Sequence, residues 1–131
     1  MEIVLDTSAI ISVIAGEPEG KLVIALTQNS KIVCPNIISF EVANAITRMI
    51  RKGIIANKDK IEDILSNFET IPIKIVDNNP RTSLEIAWNF KIYAYDAFFL
   101  DAAKTLNLPL LTFDDRMRVI GKELGINILG G

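Results

Sequence analysis

The sequence predicts an α/β fold in which a central parallel sheet carries helices on both faces. Three observations lead there. The run Ile3-Val4-Leu5 is apolar without alternation, which marks a strand buried on both faces rather than one side of an open sheet. Similar short runs alternate with stretches of helical periodicity from one end of the chain to the other. No internal repeat or low-complexity tract breaks that alternation. Consecutive parallel strands with right-handed crossovers place their carboxyl ends on one edge, where open α/β sheets collect ligands.

The first strand ends at Asp6-Thr7-Ser8, and Ala9 to Ile14 has helical composition until Gly16-Glu17-Pro18 breaks it. Pro18 is expected to open a second helix with Leu22, Ile24, Ala25 and Leu26 on its apolar side. A strand at Ile32 to Cys34 stops at Pro35, and Asn36 is expected to cap a long helix that runs to about Lys52 and ends at Gly53. Val42, Ile46, Met49 and Ile50 form its predicted stripe, with Glu41, Asn44, Arg48 and Lys52 off it. Ile61, Ile64, Leu65 and Phe68 define a helix from about Lys58 to Phe68, followed by a strand at Ile73 to Val76 that ends in Asp77. Asn79-Pro80 opens a helix with Leu84, Ala87 and Trp88 as its predicted apolar face. Tyr95-Asp96-Ala97 begins another, with Phe99, Ala103 and Leu106 inward and Asn107 at its close. Leu110 to Thr112 is a strand, Asp114-Asp115 starts a helix bearing Met117, Ile120 and Leu124, and Ile126 to Leu129 is a last strand. The diglycine tail has no evident structural role.

At 131 residues and half apolar, the chain suits one compact domain spanning 1–131, without a linker. A formal net charge of −2 leaves no basic arm to coat nucleic acid, so such contact must use a local patch or a bound cation. No apolar run approaches the roughly 20 residues of a membrane span, and a signal-peptide pattern is missing. A soluble, cytoplasmic protein is expected. Histidine is absent, which removes Ser/His and Cys/His hydrolase chemistry and every His-containing metal site. The single Cys34 cannot form an internal disulfide or a Cys-rich zinc site, and it reads as a buried strand residue. Carboxylate, hydroxyl and amine remain, and oxygen-rich sites of this kind favour magnesium and manganese.

Each acid has a plain structural reading. Asp6, Asp96 and Asp114 stand at predicted helix starts, where Asp caps backbone N–H groups for about 1 kcal/mol, and Glu41 suits the dipole of an early helical turn. Their conjunction says more. Carboxylates sharing a rim raise each other's pKa unless a cation neutralises them, and a divalent ion does that while lowering the pKa of bound water. Asp6, Asp77 and Asp114 all follow predicted strands and are expected on one rim. Asp77 and Asp101 read as a turn residue and a solvated helix residue.

Val4-Leu5-Asp6-Thr7-Ser8, Glu41 in Ser39-Phe40-Glu41-Val42-Ala43-Asn44-Ala45, Tyr95-Asp96-Ala97, and Leu111-Thr112-Phe113-Asp114 followed by Met117 resemble the acidic motifs of PIN domains. The match is closest to VapC-type toxins of toxin–antitoxin pairs, in order, spacing and length. The resemblance implies a three-layer fold around a five-stranded parallel sheet. It also implies a magnesium- or manganese-dependent endoribonuclease that hydrolyses RNA phosphodiester bonds. Asp6 and Asp96 correspond to the chief metal ligands, and Glu41 and Asp114 complete the quartet; the spacing from Thr112 favours Asp114 over Asp115. Thr7, Ser8 and Thr112 match hydroxyl positions that orient a carboxylate or touch phosphate. A homodimer and a small VapB-type antitoxin partner are likewise implied. Arg48, Lys52, Arg81, Lys91, Arg116 and Arg118 are candidate phosphate contacts, with Arg48 foremost because it shares Glu41's helix face.

Three other readings compete. A haloacid-dehalogenase-like phosphatase also begins with an aspartate after its first strand, but its second acid two residues on is Ser8 here. A receiver domain using Asp77 needs a lysine after the last strand, and Ile126 to Gly131 has none. A catalytically inactive PIN-like module that binds RNA or protein needs no such concentration of acids.

Overall fold

A computed structural model of the chain describes residues 1–130. Five strands form one fully parallel sheet: β1 (Glu2–Leu5), β2 (Lys31–Pro35), β3 (Ile73–Val76), β4 (Leu110–Leu111) and β5 (Ile128–Leu129), in the order β3-β2-β1-β4-β5. Ile3 pairs with Ile32 on one side, and Leu5 with Leu111 on the other. The chain steps outward from β1 through β2 to β3, then returns to the opposite side of β1 for β4 and β5. The reversal point therefore lies between β1 and β4, and crevices at such points bind ligands in doubly wound sheets.

Among the described residues, seven helices cover the sheet: α1 (Thr7–Ile14), α2 (Gly20–Thr27), α3 (Ile38–Arg51), α4 (Lys58–Glu69), α5 (Pro80–Phe90), α6 (Ala94–Leu106) and α7 (Asp115–Glu123). α1 packs on β1 and gathers α2, α3 and α4, whereas α6 packs on β1, β2 and β4 and gathers α5 and α7. Two helical layers on a central sheet explain why Ile3, Val4, Leu5, Leu110 and Leu111 are almost wholly buried and why their runs do not alternate. The edge strand β3 differs, with Ile75 half exposed. Among the described residues no helix is long and apolar enough to cross a membrane.

Several local expectations are corrected. Pro18 does not open α2, which begins two residues later at Gly20, and Leu22, Ile24 and Ala25 face solvent while Val23 points inward. Asn36 does not cap α3; its amide donates to Asp77 Oδ1 at 2.9 Å, and the helix starts at Ile38 without a side-chain cap. Ile50 is exposed, and Ala45 takes its place on the buried stripe. On α5, Leu84 and Trp88 are exposed, while Ser83 and Ile86 face the core with Ala87 and Phe90 partly covered. Leu106 is exposed as well, Thr112 follows β4 rather than belonging to it, and β5 is confined to Ile128–Leu129. Gly53 and Gly125 end α3 and α7 as expected, with φ of 76° and 79°. Gly131 of the diglycine tail lies outside the described residues.

Gly20 is required by contact. A Cβ built there would overlap the carbonyl oxygen of Ser12, a backbone atom that also accepts from Glu17 N–H at 2.9 Å. Gly20→Ala must push α2 off α1, and overpacking of this kind costs about 2 kcal/mol. Urea denaturation should show the midpoint lowered; an unchanged midpoint would contradict the close approach.

Candidate active site

Each of the four acids belongs to a different helix start. Asp6 is the N-cap of α1 and Asp114 of α7, accepting from Ala9 N–H at 3.0 Å and Met117 N–H at 2.9 Å respectively. Glu41 and Asp96 lie in the first turns of α3 and α6. Asp96 is not a cap, because that position is held by Tyr93 without a side-chain bond. The parallel sheet brings these starts to its carboxyl edge, and all four acids line one open cleft of about 490 Å³. The positive ends of four helix dipoles thus border the acids and moderate their repulsion.

The β1–β4 reversal point is bridged by hydroxyls. Ser8 Oγ donates to Asp6 Oδ1 at 2.7 Å and accepts from Phe113 N–H at 3.0 Å. Thr112 Oγ1 donates to Asp6 Oδ2 and accepts from Asp114 N–H at 3.0 Å. One relay thus runs from Asp6 through Thr112 to the backbone of Asp114, and a second through Ser8 to that of Phe113. Arg118 braces the same turn from Thr112's carbonyl at 3.1 Å. Asp6 accepts three hydrogen bonds on two oxygens, which fixes its orientation and leaves lone-pair capacity toward the cleft. Among the described residues, Thr7 Oγ1 is buried in the same wall without a hydrogen-bond partner, an orphan acceptor and donor at the cleft.

Burial raises Asp6 from its ordinary 3.8 to about 6, against the hydrogen bonds from Thr112, Ser8 and Ala9 and with a smaller push from Asp114. Asp96 is also raised, first by burial, then by the charges of Asp114 and Glu41, with Arg116 pulling the other way. These two acids therefore carry charge in surroundings that resist it. The donor set is entirely oxygen, as a hard divalent ion requires. Among the described residues no three or more acids form a ready-made cage for a metal ion.

The remaining predicted residues divide. Arg48 and Ala45 line the cleft with Glu41, whereas Asn44 and Lys52 do not. Asp77 stays at the end of β3, away from the cleft, and Asp115 is in the first turn of α7 but does not line it. Cys34 is buried on β2 beside β1, donates to the carbonyl of Leu5 at 3.3 Å, and has its thiol pushed up to about 12 by burial. Asp101 is a correction: it is buried, not solvated, and accepts from Thr82 Oγ1, Ser83 Oγ and Thr105 Oγ1 at 2.8, 2.7 and 3.0 Å. That node pins α5 to α6. Two acids of the cleft went unrecognised, Glu17 and Glu19 in the α1–α2 connection. Gly16-Glu17-Pro18 signals only a chain break, and nothing local shows that the break overhangs the end of β1.

Comparison with known proteins agrees with this architecture. The chain is 26% identical over 121 residues to Ribonuclease VapC1 of Mycobacterium tuberculosis, covering 88% of each chain. Among solved structures it resembles PAE2754 from Pyrobaculum aerophilum, with a TM-score of 0.75 and 20% identity over 98% of this chain and 84% of that one. It also resembles VapBC2 from Rickettsia felis, solved with a DNA fragment from their promoter, with a TM-score of 0.68 and 17% identity over 98% and 97% of the two chains. The sequence model of the PIN domain matches residues 3–123, nearly the whole length and all four acids, so the chain belongs to the PIN domain family.

Proposed function

We propose that this chain is a divalent-metal-dependent endoribonuclease that cuts RNA phosphodiester bonds in the cytoplasm, as the toxin of a VapBC-type toxin–antitoxin pair. The observation that carries the reading is the convergence of Asp6, Glu41, Asp96 and Asp114 in one cleft at the reversal point of the sheet. The similarity to a protein named Ribonuclease VapC1 supports the substrate class. Asp6 and Asp96 would hold magnesium or manganese, with Glu41 and Asp114 completing the donor set. When bound, such an ion lowers the pKa of its water and stabilises charge on a phosphoryl oxygen. Ser8 and Thr112 keep the Asp6 carboxylate turned to the cleft, Thr7 offers its unpartnered hydroxyl to a phosphate oxygen or water, and Arg48 meets the RNA backbone from α3. A small VapB-type protein that inserts a basic side chain between the acids would silence the site, and the active chain is a homodimer. A domain that only bound protein or RNA would gain nothing from two acids raised by burial and like charge.

Calorimetric titration tests the site directly. Manganese should bind the unaltered chain, and Asp6→Asn and Asp96→Asn should each weaken that binding by about tenfold or more, the scale for altering a metal site's immediate surroundings. Identical isotherms for all three proteins would remove the metal centre.

A further inference from the structure

On the Asp96–Asp114 side, the acid cleft opens into a smaller hollow of about 120 Å³ walled also by Tyr93 and Arg116. Arg116 is anchored there: its Nη2 donates to the carbonyls of Phe90 and Lys91 at 2.8 and 3.2 Å. Those carbonyls end α5 and have no helical donor of their own. Among the described residues the guanidinium makes no other hydrogen bond, so a fork held at one tip presents its remaining donors to the hollow. Its charge already reaches the site, where it opposes the upward push on Asp96.

Tyr93 is 83% exposed, so its ring adds almost nothing to folding. Its backbone is nonetheless set, as the N-cap of α6 next to the partly buried Ile92. Trp88, also exposed, already carries a cation on its face, the Lys91 ammonium at 4.7 Å from the ring centroid. Tyr93 therefore offers an open aromatic face at the rim of the acids, beside a fixed guanidinium. Stacking on an aromatic face and pairing with an arginine fork are the two contacts by which unpaired nucleotides are held.

We propose that this hollow is a subsite for one nucleotide of single-stranded RNA, with its base stacked on Tyr93 and its phosphate paired with Arg116. This rests on the ribonuclease reading and narrows the substrate to RNA unpaired at that position. The strand crosses the acids between two cationic points, Arg48 on α3 and Arg116 on α7. A base inside a continuous duplex reaches Tyr93 only after unpairing and unstacking, which costs about a few kcal/mol, so loops and single strands are the favoured targets.

The test uses the Asp6→Asn chain, which lacks a cleft acid outside the hollow, and a short thiouridine-labelled single-stranded RNA followed by anisotropy and photocrosslinking. Adding Tyr93→Ala should weaken binding about tenfold and remove the crosslinked peptide that contains residue 93, whereas Tyr93→Phe should stay within about twofold. Arg116→Ala should weaken binding and flatten its salt dependence. RNA affinity unchanged by Tyr93→Ala, the result if the hollow serves a protein partner, would overturn the subsite. Both readouts are independent of cleavage. RNA seated on Tyr93 but never cut by the unaltered chain would leave the subsite and sink the nuclease, and cutting without engagement of Tyr93 would do the reverse.

Discussion

RNA incubated with manganese and the Asp96→Asn chain should remain intact while the unaltered chain degrades it, a loss of at least about a thousandfold. The scale follows from the several kcal/mol that a metal centre contributes to charge stabilisation, at about 1.4 kcal/mol per factor of ten. Asp96 is the informative position because its substitution separates chemistry from folding. It accepts no hydrogen bond that closes a helix, and the cap position of α6 is Tyr93. Asparagine keeps its shape and removes a charge that burial, Asp114 and Glu41 all oppose, so in metal-free buffer the substitution should not lower the stability of the fold. EDTA should silence the unaltered chain to the same degree, and manganese should restore it. Cleavage by Asp96→Asn at the unaltered rate, with both proteins at matched purity, would refute the assignment of this acid.

What was legible in the sequence was whatever depends on neighbours in the chain. The buried strand ahead of Asp6, the caps at Asp6 and Asp114, and the ordered acids required only local pattern and motif. What was not legible depends on which of two possible faces the fold covers. On α5, Leu84 and Trp88 supply an apolar arc as persuasive as Ile86 and Phe90. The choice falls to Ser83, whose hydroxyl meets the buried Asp101 eighteen residues away. A serine and an aspartate look solvated until that contact exists. On α2, the residues at Leu22, Ile24 and Leu26 repeat every second position, which is not helical spacing; Val23 is fully covered, Leu26 only partly, and Leu22 and Ile24 are exposed. Arg116 likewise resembles any surface charge, because what fixes it is the carbonyl end of α5, 25 and 26 residues earlier. Glu17 and Glu19 enter the cleft only because α2 must turn back sharply at Gly20 against Ser12. In each case the missing information is a long-range contact.

In metal-free buffer, Asp6→Asn should gain stability relative to the unaltered chain as pH rises, by up to about 3 kcal/mol between about pH 4 and pH 7.5. The sign follows from proton binding. Folded Asp6 holds its proton up to about 6, whereas the unfolded carboxyl releases it near 3.8. Between those values the folded state binds more protons, so the stability that Asp6 contributes is greatest at low pH and is lost as pH climbs through the window. At about 1.4 kcal/mol per pH unit, that interval amounts to roughly 3 kcal/mol. Asparagine has no such proton. Its carbonyl can accept from Ser8 and Ala9 as Asp6 does, and its amide can donate to Thr112 Oγ1, which then becomes an acceptor. That exchange adds a constant offset, so the test is the slope of the difference and not its absolute value. Saturating manganese should narrow the difference, because an ion that binds the folded unaltered chain stabilises it by about 2.7 kcal/mol at a hundred times its dissociation constant and stabilises the weaker-binding variant by less. Parallel stability curves for the two proteins across that pH range would mean that Asp6 is not held against its charge. The instability that the Asp6 charge imposes at neutral pH is what a bound cation would relieve, and affinity for the ion should fall as pH drops below about 6 and protons compete for Asp6.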